Sequence, residues 1–308
     1  MSLSAFSALM KQRPANCDYR LAVIDGKNLF YRSFYGHSKG SMGDFPGVFG
    51  TLSFLCEVLK AFGKECLVAV CWDYGLDPER VALFPGYKNR PRNKDIDYEQ
   101  MNDDLIASMR LSKMLPVFTA YPLQGVAEGD DLIASVVSDF RRDEPGRHGC
   151  ILSDDTDFIQ LVTNTCHVYA PRKKILYTPV TVPLYAECLP ERYLFMKAMI
   201  GDATDTIPGV PGIGKVAGPK LVEHYASIED MQSDPTKCTA LRMAGKVAKV
   251  LQHSDVLRRN LQLISLKKVP YDFEWTPNYN RLNTEVKDLG YVSLRQNLRD
   301  VFSEEACQ

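Results

Sequence analysis

Cys150-Ile151-Leu152-Ser153-Asp154-Asp155-Thr156-Asp157 joins a short apolar run directly to a burst of carboxylates. A continuous apolar run of this length suits a strand buried on both faces of a parallel sheet. Leu21-Ala22-Val23-Ile24 and Leu67-Val68-Ala69-Val70-Cys71-Trp72 repeat the pattern, and Asp25 and Asp73 follow them at once. Open α/β sheets place their ligands beyond the carboxyl ends of the strands, so these acids would collect where ligands bind. A single Asp after a strand is an ordinary turn or N-cap residue. Three strands ending in the same way weigh against coincidence. The expected fold class is therefore α/β, a mostly parallel central sheet flanked by helices.

Two more acidic clusters follow the same logic: Glu128-Gly129-Asp130-Asp131 and Asp202-Ala203-Thr204-Asp205, which with Asp154-Asp155-Thr156-Asp157 fall within 78 residues. Carboxylates a few Å apart raise one another's pKa or push the site open unless a cation holds them, and hard divalent ions such as Mg²⁺ or Mn²⁺ take oxygen ligands readily. A metal-dependent enzyme is the first expectation. Leu132, Ile133, Val136, Val137 and Phe140 lie on one helical face, so the first cluster opens a helix. Acidic residues in a first turn also suit the helix dipole, which gives Asp131 in particular a second explanation.

The whole chain bounds these readings. At 308 residues with 45% apolar content it has ample material for a core, as one large domain or two smaller ones. No apolar run approaches the roughly 18 residues of a membrane span, and residues 1–16 lack the apolar core of a secretory signal, so a cytoplasmic address without membrane partners is expected. The nine cysteines are scattered without a C-x-x-C pair, as expected of reduced, zinc-free thiols. Net charge is −1, yet setting aside nine candidate ligands (Asp25, Asp73, Glu128, Asp130, Asp131, Asp155, Asp157, Asp202 and Asp205) leaves 29 acids against 37 Lys and Arg. That excess can approach phosphates, but an ordinary solvated surface can carry it too.

Residues 74–115 differ in texture. Pro78, Pro85, Gly86 and Pro91 punctuate a polar stretch with Arg80, Lys88, Arg90, Arg92 and Lys94, followed by a helix-like run from Tyr98 to Met114. This reads as an insertion over the mouth of the site. Tyr87-Lys88-Asn89-Arg90 offers cations for a phosphate backbone and a ring to stack on a base, beside the plainer reading of a solvated loop. After residue 185 the pattern is mostly helical, interrupted by Pro208-Gly209-Val210-Pro211-Gly212-Ile213-Gly214-Lys215. A glycine-rich turn ahead of a helix near Val216 allows close backbone approach and exposes N–H groups to an anion, the recipe of a helix-hairpin-helix contact to DNA phosphate. The tail carries a further helical pattern in Leu289, Val292, Leu294, Leu298 and Val301.

Together these residues resemble the 5′-nuclease family of phage flap endonucleases, the 5′-nuclease domain of bacterial DNA polymerase I and their eukaryotic relatives. The carriers, over about residues 20–270, are Ile24-Asp25-Gly26-Lys27-Asn28-Leu29-Phe30-Tyr31-Arg32, Cys71-Trp72-Asp73, Tyr87-Lys88-Asn89-Arg90, Glu128-Gly129-Asp130-Asp131, the stretch 153–161 and the stretch 201–210. The resemblance implies a PIN-like α/β domain over 18–184 with a helical arch inserted at about 74–115. It further implies a helical region over 185–308 with a helix-three-turn-helix module at about 190–270. Two Mg²⁺ ions are implied, with Mn²⁺ able to substitute, and K⁺ at the hairpin loop.

By motif position Asp25, Asp73, Glu128 and Asp130 would hold the first ion and Asp155, Asp157, Asp202 and Asp205 the second, with Asp130 shared, Asp131 between the two roles and Asp154 spare. Lys88, with Arg90 or Arg92, would offset charge on the scissile phosphate. Tyr87, Lys88, Gly209, Val210, Gly212, Ile213, Gly214, Lys215 and Lys220 would contact DNA. The implied activity is metal-dependent hydrolysis of DNA at 5′ flaps or free 5′ ends by a monomer, leaving a 5′-phosphate, with RNA-containing primer strands as further substrates. Three departures stand out: Gly129 where the family usually carries Ala, one residue fewer between Lys88 and the arginine of the Y-K-x-N-R pattern, and Val216 where a lysine is usual. A PIN-type ribonuclease and a noncatalytic DNA-junction binder are the competing readings.

Overall fold

The computed structural model describes residues 4–37, 45–91, 93–238 and 241–302. Its centre is a seven-stranded sheet of β1 (Tyr19–Asp25), β2 (Leu67–Cys71), β3 (Phe118–Pro122), β4 (His148–Leu152), β5 (Cys166–Ala170), β6 (Ile175–Tyr177) and β9 (Tyr271–Glu274). A separate two-stranded ribbon pairs β7 (Gly201–Asp202) with β8 (Ile207–Pro208). The sheet order is β6-β5-β4-β1-β2-β3-β9, with β1 to β5 mutually parallel and the two edge strands antiparallel. Chain order runs outward from β1 in one direction through β2 and β3, then restarts on its other side with β4. The crevice between β1 and β4 is thus a topological switch point, where open sheets bind ligands.

Strand periodicity divides the apolar side chains between two cores. Leu21 and Val23 face the helix Gly129–Asp143 and the helices of residues 190–264, whereas Ala22 and Ile24 face the helices Pro46–Phe62, Tyr98–Ser112, Tyr279–Asp288 and Val292–Phe302. The expected stripe of Leu132, Ile133, Val136 and Val137 is buried on the first face, and Phe140 packs at its edge. The eight described cysteines are all buried and unpaired, in keeping with small hydrophobes; Cys307 lies outside the described residues.

Two elements differ from the sequence pattern. β9 returns the chain to the sheet edge beside β3, so residues 271–302 belong spatially with the α/β layer although their sequence groups them with the helical region. The tail is also two helices rather than one, because Gly290, at φ 77, turns the chain after Tyr279–Asp288. Leu294 and Leu298 are buried as expected, but Val292 is exposed.

Candidate metal centre

Register brings the first acids together: Asp25 lies opposite Cys71 at the end of β2, and Ile24 opposite Leu152 at the end of β4. Asp25 Oδ1 accepts the Asn28 N–H at 2.9 Å and Oδ2 accepts the Ser153 hydroxyl at 2.9 Å, a bond that spans the switch point. Burial, reinforced by the charges of Asp73 and Asp155, pushes the Asp25 carboxyl up to about 7. Asp73 seats one oxygen on the first N–H of the helix Gly129–Asp143, 2.5 Å from Gly129 N, and faces the Lys27 ammonium with the other at 2.5 Å. A Cβ at position 129 would come within 2.8 Å of that first oxygen, so the glycine gives Asp73 its place at the helix start. Asp130, in the first helical turn, is held well above the carboxylate range by burial and then by Asp155 and Asp25.

The second set gathers around the ribbon. Carboxylate oxygens of Asp157, Asp202 and Asp205 lie within 4.8 Å of one another. Asp155 caps the short 3₁₀ turn Thr156–Leu161, accepting the Asp157 N–H at 2.9 Å, and burial raises its pKa with Asp202 adding to the effect. Asp205 is pushed up to about 6, first by burial and then, against the pull of Lys88, by Asp202 and Asp155. Asp202 goes the other way: burial raises it, but Lys197 and the Thr204 N–H together bring it below its ordinary value. Lys197, from the helix Pro190–Ile200, contacts both Asp157 and Asp202, the latter at 2.9 Å.

Lys88 links the two sets. Its ammonium is 2.5 Å from Glu128, 4.0 Å from Asp130 and 3.9 Å from Asp205, while its N–H donates to the Asp205 carbonyl at 3.0 Å. Its backbone holds φ 51, a left-handed conformation uncommon for a side chain of this kind. Burial opposes the charge on Lys88, yet Asp130, Asp205 and Glu128 more than compensate and raise its pKa. Arg90 reaches Asp205 at 3.8 Å, and Arg92 lies outside the described residues.

The arrangement corrects several expectations. Asp131 is 1% exposed and does not join the acids: Arg80 grips it with two bonds of 2.8 and 2.9 Å, and the Lys267 N–H adds a third at 2.8 Å. Consecutive helical residues point about 100° apart, so Asp130 and Asp131 face different surroundings. Glu128 stays at the edge of the first set, with its oxygens occupied by the Asp77 N–H, the Tyr87 hydroxyl and Lys88. Burial works against its charge, but Lys88 and Arg80 hold it below the usual range. Tyr87 is 4% exposed, its ring in the core and its hydroxyl 2.8 Å from Glu128, so it is no platform for a base. Asp154, the spare acid, accepts the Arg172 N–H at 2.9 Å and lies 3.7 Å from the buried Arg32.

At the hairpin, Val210 and Ile213 are core side chains, and Gly209 packs so closely that a Cβ would lie 2.1 Å from the Ile200 carbonyl oxygen. Gly212, Gly214, Lys215 and Lys220 are exposed, as is Val216 at 74%. Sequence reasoning missed Lys27 and Lys197, and read Arg80 only as one cation of the basic stretch rather than as the partner of Asp131. Of the two lysines only Lys27 stood inside a quoted motif; Lys197 is brought to the acids by a helix of its own, and no local pattern marks it.

Eight carboxylates thus share one crevice with three lysines in contact, an all-oxygen donor set that carries excess negative charge and suits hard divalent cations. A family model for the 5′-3′ exonuclease N-terminal resolvase-like domain matches residues 20–184, and one for the 5′-3′ exonuclease C-terminal SAM fold matches residues 188–285. The chain belongs to the 5′-3′ exonuclease family. DNA polymerase I of Bacillus caldotenax is 27% identical over 303 residues, 93% of this chain and 33% of that protein, so the chain spans about a third of such relatives. A 5′-3′ exonuclease of Buchnera aphidicola is 25% identical, covering 81% of this chain and 86% of its own length. Among solved structures, bacteriophage T5 5′-exonuclease with divalent zinc bound superposes at a TM-score of 0.66 with 21% identity, over 92% of this chain and 98% of that one. The likeness to T5 shows that this exonuclease-family chain has the same α/β and helical architecture. Among the described residues no helix is long and apolar enough to cross a membrane.

Proposed function

We propose that this 5′-3′ exonuclease-family protein is a two-metal nuclease that hydrolyses phosphodiester bonds of DNA at 5′ flaps or free 5′ ends. The observation that carries the reading is the pairing of two carboxylate sets, one at the β1–β4 switch point and one at the β7–β8 ribbon, across a single lysine. Asp25, Asp73 and Asp130, with Glu128 at their edge, would hold one Mg²⁺, and Asp155, Asp157, Asp202 and Asp205 the other. Divalent ions bound there supply activation of water at neutral pH and charge neutralisation at the leaving oxygen.

The chain's own residues do the rest. Lys88 stands among acids of both sets, so its ammonium can turn from Glu128 toward a phosphate placed between them and offset the charge that grows there. Arg90 adds a second positive group from the same loop. Ser153 and the Asn28 N–H fix the Asp25 carboxylate, and the helix start at Gly129 fixes Asp73, so these oxygens do not have to be ordered when substrate arrives. The exposed turn around Gly212, with Lys215 and Lys220, offers backbone N–H groups and cations to the duplex beside the cleaved strand.

The test is a digest of a 5′-labelled flap duplex in Mg²⁺. Wild type should release the flap with a 5′-phosphate on the product, Asp155→Asn and Asp73→Asn should bind the duplex without cutting it, and Lys88→Ala should cut slower by a factor on the order of 10² to 10³. An uncut flap with wild type that demonstrably binds it would overturn the reading. Preferential cleavage of single-stranded RNA in the same assay would favour the ribonuclease alternative.

A further inference from the structure

The hairpin turn raises a question about its cation. The family resemblance carries an expectation of K⁺ at this turn, and a bare alkali ion would need several carbonyl oxygens free to replace its water. Three of the turn's oxygens already have donors. The Val210 carbonyl accepts the Ile213 N–H at 3.0 Å, and the Gly214 carbonyl accepts both the Ala217 and Gly218 N–H groups at 3.0 and 2.9 Å. The Gly212 carbonyl, at φ 78, accepts the Lys246 ammonium from the helix Leu241–Gln252 at 2.7 Å. One turn further along that helix, Lys249 passes so close that a Cβ at position 212 would lie 2.9 Å from its Nζ.

We propose that Lys246 is a built-in substitute for a monovalent cation at this turn, so that the hairpin's grip on a DNA backbone does not depend on K⁺. An ammonium carries the same charge as K⁺ and satisfies the same carbonyl, and tethering it to the neighbouring helix presents it at high effective concentration without a binding step from solution. Placed on the Gly212 carbonyl, it removes a negative dipole from the surface that would face phosphate and leaves the turn's positive character to Lys215 and Lys249. Lys246 acts through the turn, so it is a positioning residue. The proposal rests on the reading that this hairpin meets DNA.

The experiment compares wild type and Lys246→Met in KCl and in LiCl at equal ionic strength, by anisotropy of a labelled 5′-flap duplex with Ca²⁺ in place of Mg²⁺ and by thermal melting without DNA. Wild type should show the same affinity and Tm in both salts. Lys246→Met should bind about tenfold more weakly in LiCl and recover most of that loss in KCl, which should also raise its Tm. K⁺-selective affinity or melting of wild type, or a Lys246→Met defect equal in the two salts, would overturn the proposal, the latter making Lys246 a plain phosphate contact. A wild type that binds no flap DNA would sink the nuclease reading instead, while the melting comparison would still decide between ammonium and K⁺.

Discussion

Asp130 and Asp131 are adjacent in sequence and opposite in physical role. Asp130 is half-buried among other carboxylates with too little positive charge near it, whereas Asp131 is buried in a two-bond pair with Arg80. Removing one partner of a buried pair strands the other, so Asp131→Ala should lose about 3–5 kcal/mol of stability in urea unfolding. Its requirement for divalent metal should stay unchanged. Asp130→Asn should do the reverse: in EDTA it relieves like-charge repulsion and raises Tm, while nuclease activity is lost. Both outcomes together test the division between them. Sequence alone could not make it, because a charged pair at a helix start reads equally as ligands or as dipole partners until the helix's rotation about its axis is known. The spacing Ser153-x-Asp155-x-Asp157 was easier to read, since the 3₁₀ turn it encodes caps itself with Asp155.

At the scale of elements, β1, β2 and β4 were legible as continuous apolar runs and the helix after Glu128 by its periodicity, whereas β3, β5, β6 and β9 carried no such mark. What ties the segment 74–115 to the fold was not legible either. Its helix Tyr98–Ser112 sends Asp104, fully buried, to the N-terminus of the helix Pro46–Phe62, where it accepts the N–H groups of Gly47 and Val48 at 2.7 and 2.8 Å. Phe45, the local N-cap residue, offers no side-chain oxygen, so the cap is borrowed from a helix more than fifty residues away in the chain. No local pattern predicts a borrowed cap. Asp104→Ala leaves two buried N–H donors unsatisfied and should cost about 2–3 kcal/mol, with hydrogen exchange rising first at the start of the helix Pro46–Phe62. Flap cleavage per folded molecule should survive, because Asp104 shares no hydrogen-bond partner with the carboxylates of the site.

For the whole molecule, pH acts through buried groups that pull in opposite directions, and one of them can be isolated. His167, on β5, is 2% exposed, with the Tyr19 hydroxyl 2.9 Å from Nδ1 and the His148 ring 6.0 Å away between centroids. Burial, helped by the neighbouring His148, pushes its pKa down to about 4. Because this folded-state value lies below the ordinary 6.5 of an unfolded histidine, the unfolded chain binds the extra proton first. Stability is therefore fully present above about pH 6.5 and drains as pH falls toward 4. Between pH 7 and pH 5 the loss from this residue alone is about 2 kcal/mol. Asp25 and Asp205 work the other way: their values are raised from 3.8, so the metal-free fold loses stability as pH climbs from about 4 to about 6 for Asp205 and to about 7 for Asp25. Divalent metal should cancel that second trend by holding the ionised carboxylates, leaving the histidine's acid limb exposed. His167→Gln keeps a polar partner for Tyr19 without the titration, so in Mg²⁺ its unfolding free energy should fall about 2 kcal/mol less than that of wild type between pH 7 and pH 5. Parallel pH profiles for the two proteins would show that His167 is not the group whose burial sets the acid limit of the fold.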